Sequence, residues 1–123
     1  HIHGITNEMV SESMAWPILW QSVRPHLIGK VIAGYNIDFD RRLIQQSMEK
    51  YNLPLQQNFS LFDIMQLFSA YRGEWDSRRQ KLRWFRLEEA GRLLGIPLPN
   101  SHRALDDARL ARAVLHRIAG LNY

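Results

Sequence analysis

The chain contains no cysteine. That absence excludes a disulfide framework, a cysteine-ligated zinc site and a cysteine nucleophile together, and a cytoplasmic setting is the expectation. No apolar run approaches the roughly 18 residues that a membrane-crossing helix needs, so no membrane partner is expected. Glycine and proline are few, 7 and 5 in 123 residues, and they are scattered as punctuation, leaving no linker, repeat or low-complexity tract. The first residue is His1, and no charged stretch followed by an apolar run and a small-residue cleavage site opens the sequence. The chain reads as cut from a longer one.

What is present suffices for one core. With 46% hydrophobic residues in 123, the sequence supports a single domain or a piece of one, but not two. Sixteen Lys and Arg against twelve Asp and Glu give +4, an excess that favours a phosphate-rich partner without deciding for one. Trp16, Leu19, Trp20, Val23 and Leu27 recur at helical spacing and predict a helix from Met14 to Leu27, with Ser13 as cap and Pro17 in the first turn. Gly29 stops it, and Val31, Ile32 and Ala33 predict a short buried parallel strand ending at Gly34. A helix over Phe39 to Tyr51 follows, with Leu43, Ile44, Met48 and Tyr51 inward, then a strand over Phe59 to Phe62 and a helix over Ile64 to Tyr71. Arg72 to Lys81 is polar and reads as a connection. A short helix over Arg86 to Leu94 stops at Gly95, and Ala104, Ala108, Ala111, Leu115 and Ile118 mark an amphipathic last helix capped near Asn100 or Ser101. Alternating strands and helices give an α/β class.

Acidic residues stand where chemistry often occurs. Asp38 and Asp40 lie at a strand-to-helix junction, and Asp106 and Asp107 lie in the first turn of the last helix. Carboxylates there also offset the positive end of a helix, so position alone leaves both readings open. Asp63 is readable as a helix cap or as a site acid. His1, His3, His26 and His116 read as ordinary surface or core histidines. Trp75 and Trp84, interleaved with Arg78, Arg79, Lys81, Arg83 and Arg86, suit base stacking and phosphate contact. They suit equally a solvated loop whose tryptophans anchor it to the core.

The pattern sharpens at Asn36-Ile37-Asp38-Phe39-Asp40, where an Asn ending an apolar strand is followed by x-x-Phe-Asp, and at His102-Arg103-Ala104-Leu105-Asp106-Asp107-Ala108. These segments resemble the second and third motifs of the DEDDh 3′-to-5′ exonucleases, a family that includes the proofreading subunit of bacterial DNA polymerase III and ribonuclease T. His3-Gly4-Ile5-Thr6 resembles the segment that precedes the second motif. Two departures stand out: Tyr35 occupies a position where the family often has His, and the first motif, Asp-x-Glu on an opening strand, has no counterpart. The nearest patterns, Asp38-Phe39-Asp40 and Glu74-Trp75-Asp76, do not follow a leading strand.

The resemblance implies a ribonuclease H-like exonuclease fold truncated at its N-terminus, with short parallel strands flanked by helices; residues 1–123 would form the C-terminal part of a single exonuclease domain. It implies two Mg²⁺ or Mn²⁺ ions in the complete domain, since hard divalent ions take carboxylate oxygens, and partial or no metal in this chain. By the same carry-over Asp40 and Asp107 are metal ligands and His102 is the base for the attacking water. Asn36, Phe39 and Arg103 contact substrate. The partner is single-stranded DNA or RNA, with a DNA polymerase and a second copy of the chain as further candidates. The alternative is a catalytically silent module that binds nucleic acid or contacts a polymerase, a reading that the missing Asp-x-Glu supports.

Overall fold

The segments identified by spacing become, in the computed structural model, a two-stranded parallel sheet carrying helices and a small separate hairpin; residues 5–54, 59–98 and 103–121 are described. Thr6 caps a short helix α1 (Asn7–Val10) by accepting from the Met9 N–H at 3.3 Å. Helix α2 (Trp16–Leu27) begins two residues later than the spacing predicts. Ser13 is not its cap, because the Ser13 N–H donates to the Val10 carbonyl in the preceding turn, and Ala15 takes the cap position with no side-chain bond. Gly29, at φ +72°, turns the chain into strand β1 (Val31–Gly34), a conformation open to glycine at no steric cost.

Strand β1 pairs in parallel with β2 (Ser60–Asp63), Val31 opposite Ser60 and Gly34 opposite Asp63. Helix α3 (Ile37–Lys50) connects them, as a parallel pair requires. Helix α4 (Ile64–Arg72) follows β2 directly. The polar stretch after it is not a plain connection: β3 (Trp75–Asp76) and β4 (Lys81–Leu82) pair antiparallel as a hairpin. Helices α5 (Leu87–Leu93) and α6 (Ala104–Ile118) complete the described elements. The α/β class is as the sequence predicts.

The core lies where α4, α5 and α6 meet. Ile64, Phe68, Phe85, Ala90, Ala111 and Val114 are buried there, with Tyr35 and Leu87 packed against them. Phe68 and Phe85 meet edge to face, their ring centres 5.1 Å apart, the arrangement that the aromatic quadrupole favours. On the other flank α2 is fastened to α3: Trp16 stacks on Trp20 at 5.5 Å and donates its indole N–H toward the Met48 sulfur at 3.1 Å.

Three burial expectations are corrected. Strand β1 is not buried; Val31 is 68% exposed, because among the described residues β1 pairs only with β2. On α3 Met48 is buried but Leu43 and Tyr51 are exposed. On α6 Ala111, Leu115 and Ile118 pack inward as expected, beside Leu110 and Val114, but Ala104 and Ala108 are exposed. The proposed caps Asn100 and Ser101 lie outside the described residues, as do His1, His3 and His102.

Candidate active site

The junction between β1 and α3 is made by Asn36, which adopts the left-handed conformation at φ 59° and ψ 52°. Asparagine tolerates that region better than most residues, which explains its use at so abrupt a turn. The Asn36 N–H donates to the Asp63 carboxylate at 2.9 Å, and the same oxygen accepts from the Met65 N–H at 2.9 Å. One carboxylate thus caps α4 and ties the ends of both parallel strands together. Sequence reasoning anticipates the cap; the tie to Asn36 depends on strand register and leaves no local signal.

The two aspartates that open α3 differ sharply. Asp38 is neutralised by Arg41 at 2.8 Å and Arg42 at 3.2 Å, pairs that i,i+3 and i,i+4 spacing brings together on an exposed helix face. Asp40 has no ion pair among the described residues. Loss of hydration, and then the negative charge of Asp63, push its carboxyl above the ordinary aspartate range. The first turn of α3 thus holds one aspartate paired with arginines and one without an ion pair among the described residues, close enough to Asp63 to feel its charge.

Tyr35, just before Asn36, is fixed by its hydroxyl, which donates to the Phe85 carbonyl at 2.6 Å. Burial first, then Asp63 and Glu89, raise its pKa beyond the usual tyrosine range, so the hydroxyl remains a donor at neutral pH. A position that the sequence leaves permissive is a tether between strand end and core. Phe39 is exposed in the first turn of α3. Asp107 is partly covered in the first turn of α6, its N–H bonded to the carbonyl of Arg103, the exposed residue at the helix N-cap. Helix α6 packs against β1. Asp106 turns elsewhere, lining a cleft of about 280 Å³ with Ile96, Leu98 and Leu110.

The structure thus brings Asn36 and Asp40 to one strand end together with Asp63. Among the described residues no three carboxylates or histidines gather into a metal-holding group, so Asp107 does not join Asp40 and Asp63 in such a cluster. Of the two predicted residues at this strand end, Asp40 alone offers a carboxylate of the kind a hard divalent ion takes. Asp40 is a carboxylate whose charge is unfavourable as it stands, and a cation would offset it.

The RNase_T family model, described as Exonuclease, matches residues 1–115. The chain belongs to this exonuclease family. An uncharacterized exonuclease, CP81 of Escherichia phage 186, is 32% identical over 125 residues, an alignment covering 96% of this chain and 63% of that protein. The chain therefore spans less than two thirds of the length of that curated relative. The α/β arrangement of short parallel strands and flanking helices is the one the family's ribonuclease H-like fold implies.

The exonuclease geometry bears on stability in two opposite ways. Asp63→Ala removes a helix cap and releases the Asn36 N–H, and is expected to cost about 1–3 kcal/mol in chemical denaturation. A change below about 0.5 kcal/mol, well under the usual cap contribution, would contradict the double role. Asp40→Asn should act in the other direction. Because Asp40 holds its proton more tightly in the folded than in the unfolded chain, its ionisation weakens the fold as pH rises through the raised pKa. Without divalent ions the Asn variant should melt higher than the parent at neutral pH and equally at acid pH, where Asp40 is already protonated. A lower melting temperature at neutral pH would contradict the assigned repulsion.

Proposed function

We propose that the chain is the C-terminal part of a metal-dependent exonuclease domain that removes nucleotides from the 3′ end of single-stranded nucleic acid. The observation that supports this reading best is the contrast at the start of α3: Asp38 is neutralised by arginines, whereas Asp40 has no ion pair among the described residues and its charge is disfavoured by burial and by Asp63. Divalent Mg²⁺ or Mn²⁺, when bound, would acidify a water and offset charge on the attacked phosphate. Asp107 would hold the ion that activates the water and Asp40 the second ion, directly or through water, while His102 would accept the water's proton. Asn36, Phe39 and Arg103 position the strand. In a complete domain of this family the Asp-x-Glu carboxylates would lie on a further strand beside β1, which pairs only with β2 among the described residues.

The same edge bears on the isolated chain as well. Among the described residues β1 has no second neighbour and Val31 is exposed, which favours pairing with a second copy, so light scattering should find dimers or larger species. A compact monomer at high concentration would contradict this.

A second reading, a catalytically silent module that binds nucleic acid or contacts a polymerase, is favoured by the lack of a three-residue metal group among the described residues. The test between them uses the full-length protein and a 5′-labelled single strand with Mn²⁺. Stepwise shortening that stops when the 3′ end is blocked supports the exonuclease; an unaltered strand, or shortening that ignores the block, overturns it.

A further inference from the structure

The hairpin settles what the sequence leaves open about its tryptophans. Trp75 and Trp84 are 61% and 54% exposed and do not anchor the segment; Phe85, 2% exposed, does. The base of the hairpin is held by ion pairs. Glu74 bridges Arg72 at 2.9 Å and Arg83 at 3.3 Å, and the Arg83 guanidinium also reaches Glu89 at 2.9 Å and lies over the Phe85 ring. At the turn, Asp76 accepts from the N–H groups of Arg78 and Arg79 and pairs with the Arg79 guanidinium. These bonds fix the backbone while two large aromatic surfaces stay in solvent.

Charge is concentrated in the same place. Residues 72–86 hold six of the sixteen Lys and Arg and two of the twelve Asp and Glu, so the segment carries the chain's whole +4 and the remainder is neutral. Among the described residues the side chains of Arg78 and Arg86 have no carboxylate partner, and Lys81 sits over the Trp84 ring at 3.4 Å. The exit of the hairpin is tied to the candidate site, since the Phe85 carbonyl receives the hydroxyl of Tyr35 beside Asn36.

We propose that the hairpin and its exit, through Trp75, Trp84, Arg78, Lys81 and Arg86, form a docking surface for single-stranded nucleic acid leading to the β1–α3 junction. The proposal rests on the nuclease reading for its substrate class. Exposed indoles offer stacking faces to any base, and unpaired cations beside them can neutralise phosphates, the combination that sequence-tolerant single-strand binding uses. An apolar protein partner would not explain cations concentrated around the rings.

The test is fluorescence anisotropy of the full-length protein with a labelled single strand in EDTA, where cleavage does not contribute to the signal. Trp75→Ala with Trp84→Ala should weaken binding roughly tenfold or more, and the matching Phe variants should restore most of it. Arg78→Ala with Arg86→Ala should flatten the salt dependence by about 1.4, at roughly 0.7 for each single-strand phosphate that an arginine no longer neutralises. Unchanged affinity in the Ala variants overturns the proposal, as does conversion of a self-associated parent to monomer with strand binding intact, which would make the surface a protein interface. Hairpin-independent binding beside normal Mn²⁺-dependent cleavage rejects this proposal alone. Hairpin-dependent binding without cleavage counts against the nuclease reading alone.

Discussion

Replacing Asp107 with alanine, in a domain that includes an Asp-x-Glu strand, is expected to lower strand cleavage by about a hundredfold or more while changing stability little. The two effects separate because the carboxylate has two possible roles of very different size. In the first turn of α6 its charge offsets the helix dipole, a contribution of about 0.3–1 kcal/mol at a surface site. In the proposed role of metal ligand it would be required for the reaction itself, and among the described residues no clustered carboxylate would stand in for it. His102→Ala should match it in cleavage. A variant lacking Asp107 that turns over substrate normally and unfolds at lower denaturant would assign the residue to the helix and not to the site.

Much of the architecture is legible in the sequence because local signals and tertiary context agree. Gly29 and Gly95 mark stops where the backbone does take positive φ, and the apolar run from Val31 becomes a parallel strand. The failures arise where a distant surface decides. Ala104 and Ala108 fit the same helical stripe as Ala111, Leu115 and Ile118, but only the later part of α6 reaches the core, and the two alanines of its first turns stay exposed. The hairpin leaves little pattern because each strand is two residues long, too short for alternation to register, and Gln80 adopts φ 54° in its turn without being glycine. Asp76 is the available clue, an aspartate able to accept from N–H groups two and three residues on.

At the candidate site the motif letters draw attention to Asn36 and Asp40, and the parallel register explains why they converge with Asp63. Tyr35 carries no such signal, because its partner lies fifty residues away. His102 lies outside the described residues, so its role rests on the motif and on the nuclease assay.

The second large effect concerns the chain by itself, which is expected to show no appreciable exonuclease activity. Two divalent ions a few ångströms apart repel strongly and are tolerated only where several carboxylates and a substrate phosphate offset their charge. Under the proposed assignment Asp40 and Asp107 would supply two of the four carboxylates that the family resemblance implies, and Asp63 is committed to the N–H groups of Asn36 and Met65. General-base catalysis by His102 alone contributes on the order of a hundred- to ten-thousandfold, far below what phosphodiester cleavage needs.

The most direct measurement compares this chain with one extended upstream through an Asp-x-Glu strand, on a 5′-labelled single strand with Mn²⁺. Stepwise shortening by the extended chain and none by the shorter one is the predicted result. Comparable rates from the two would contradict the account and mean that another acid, such as Asp38 or one from a second copy, completes the site.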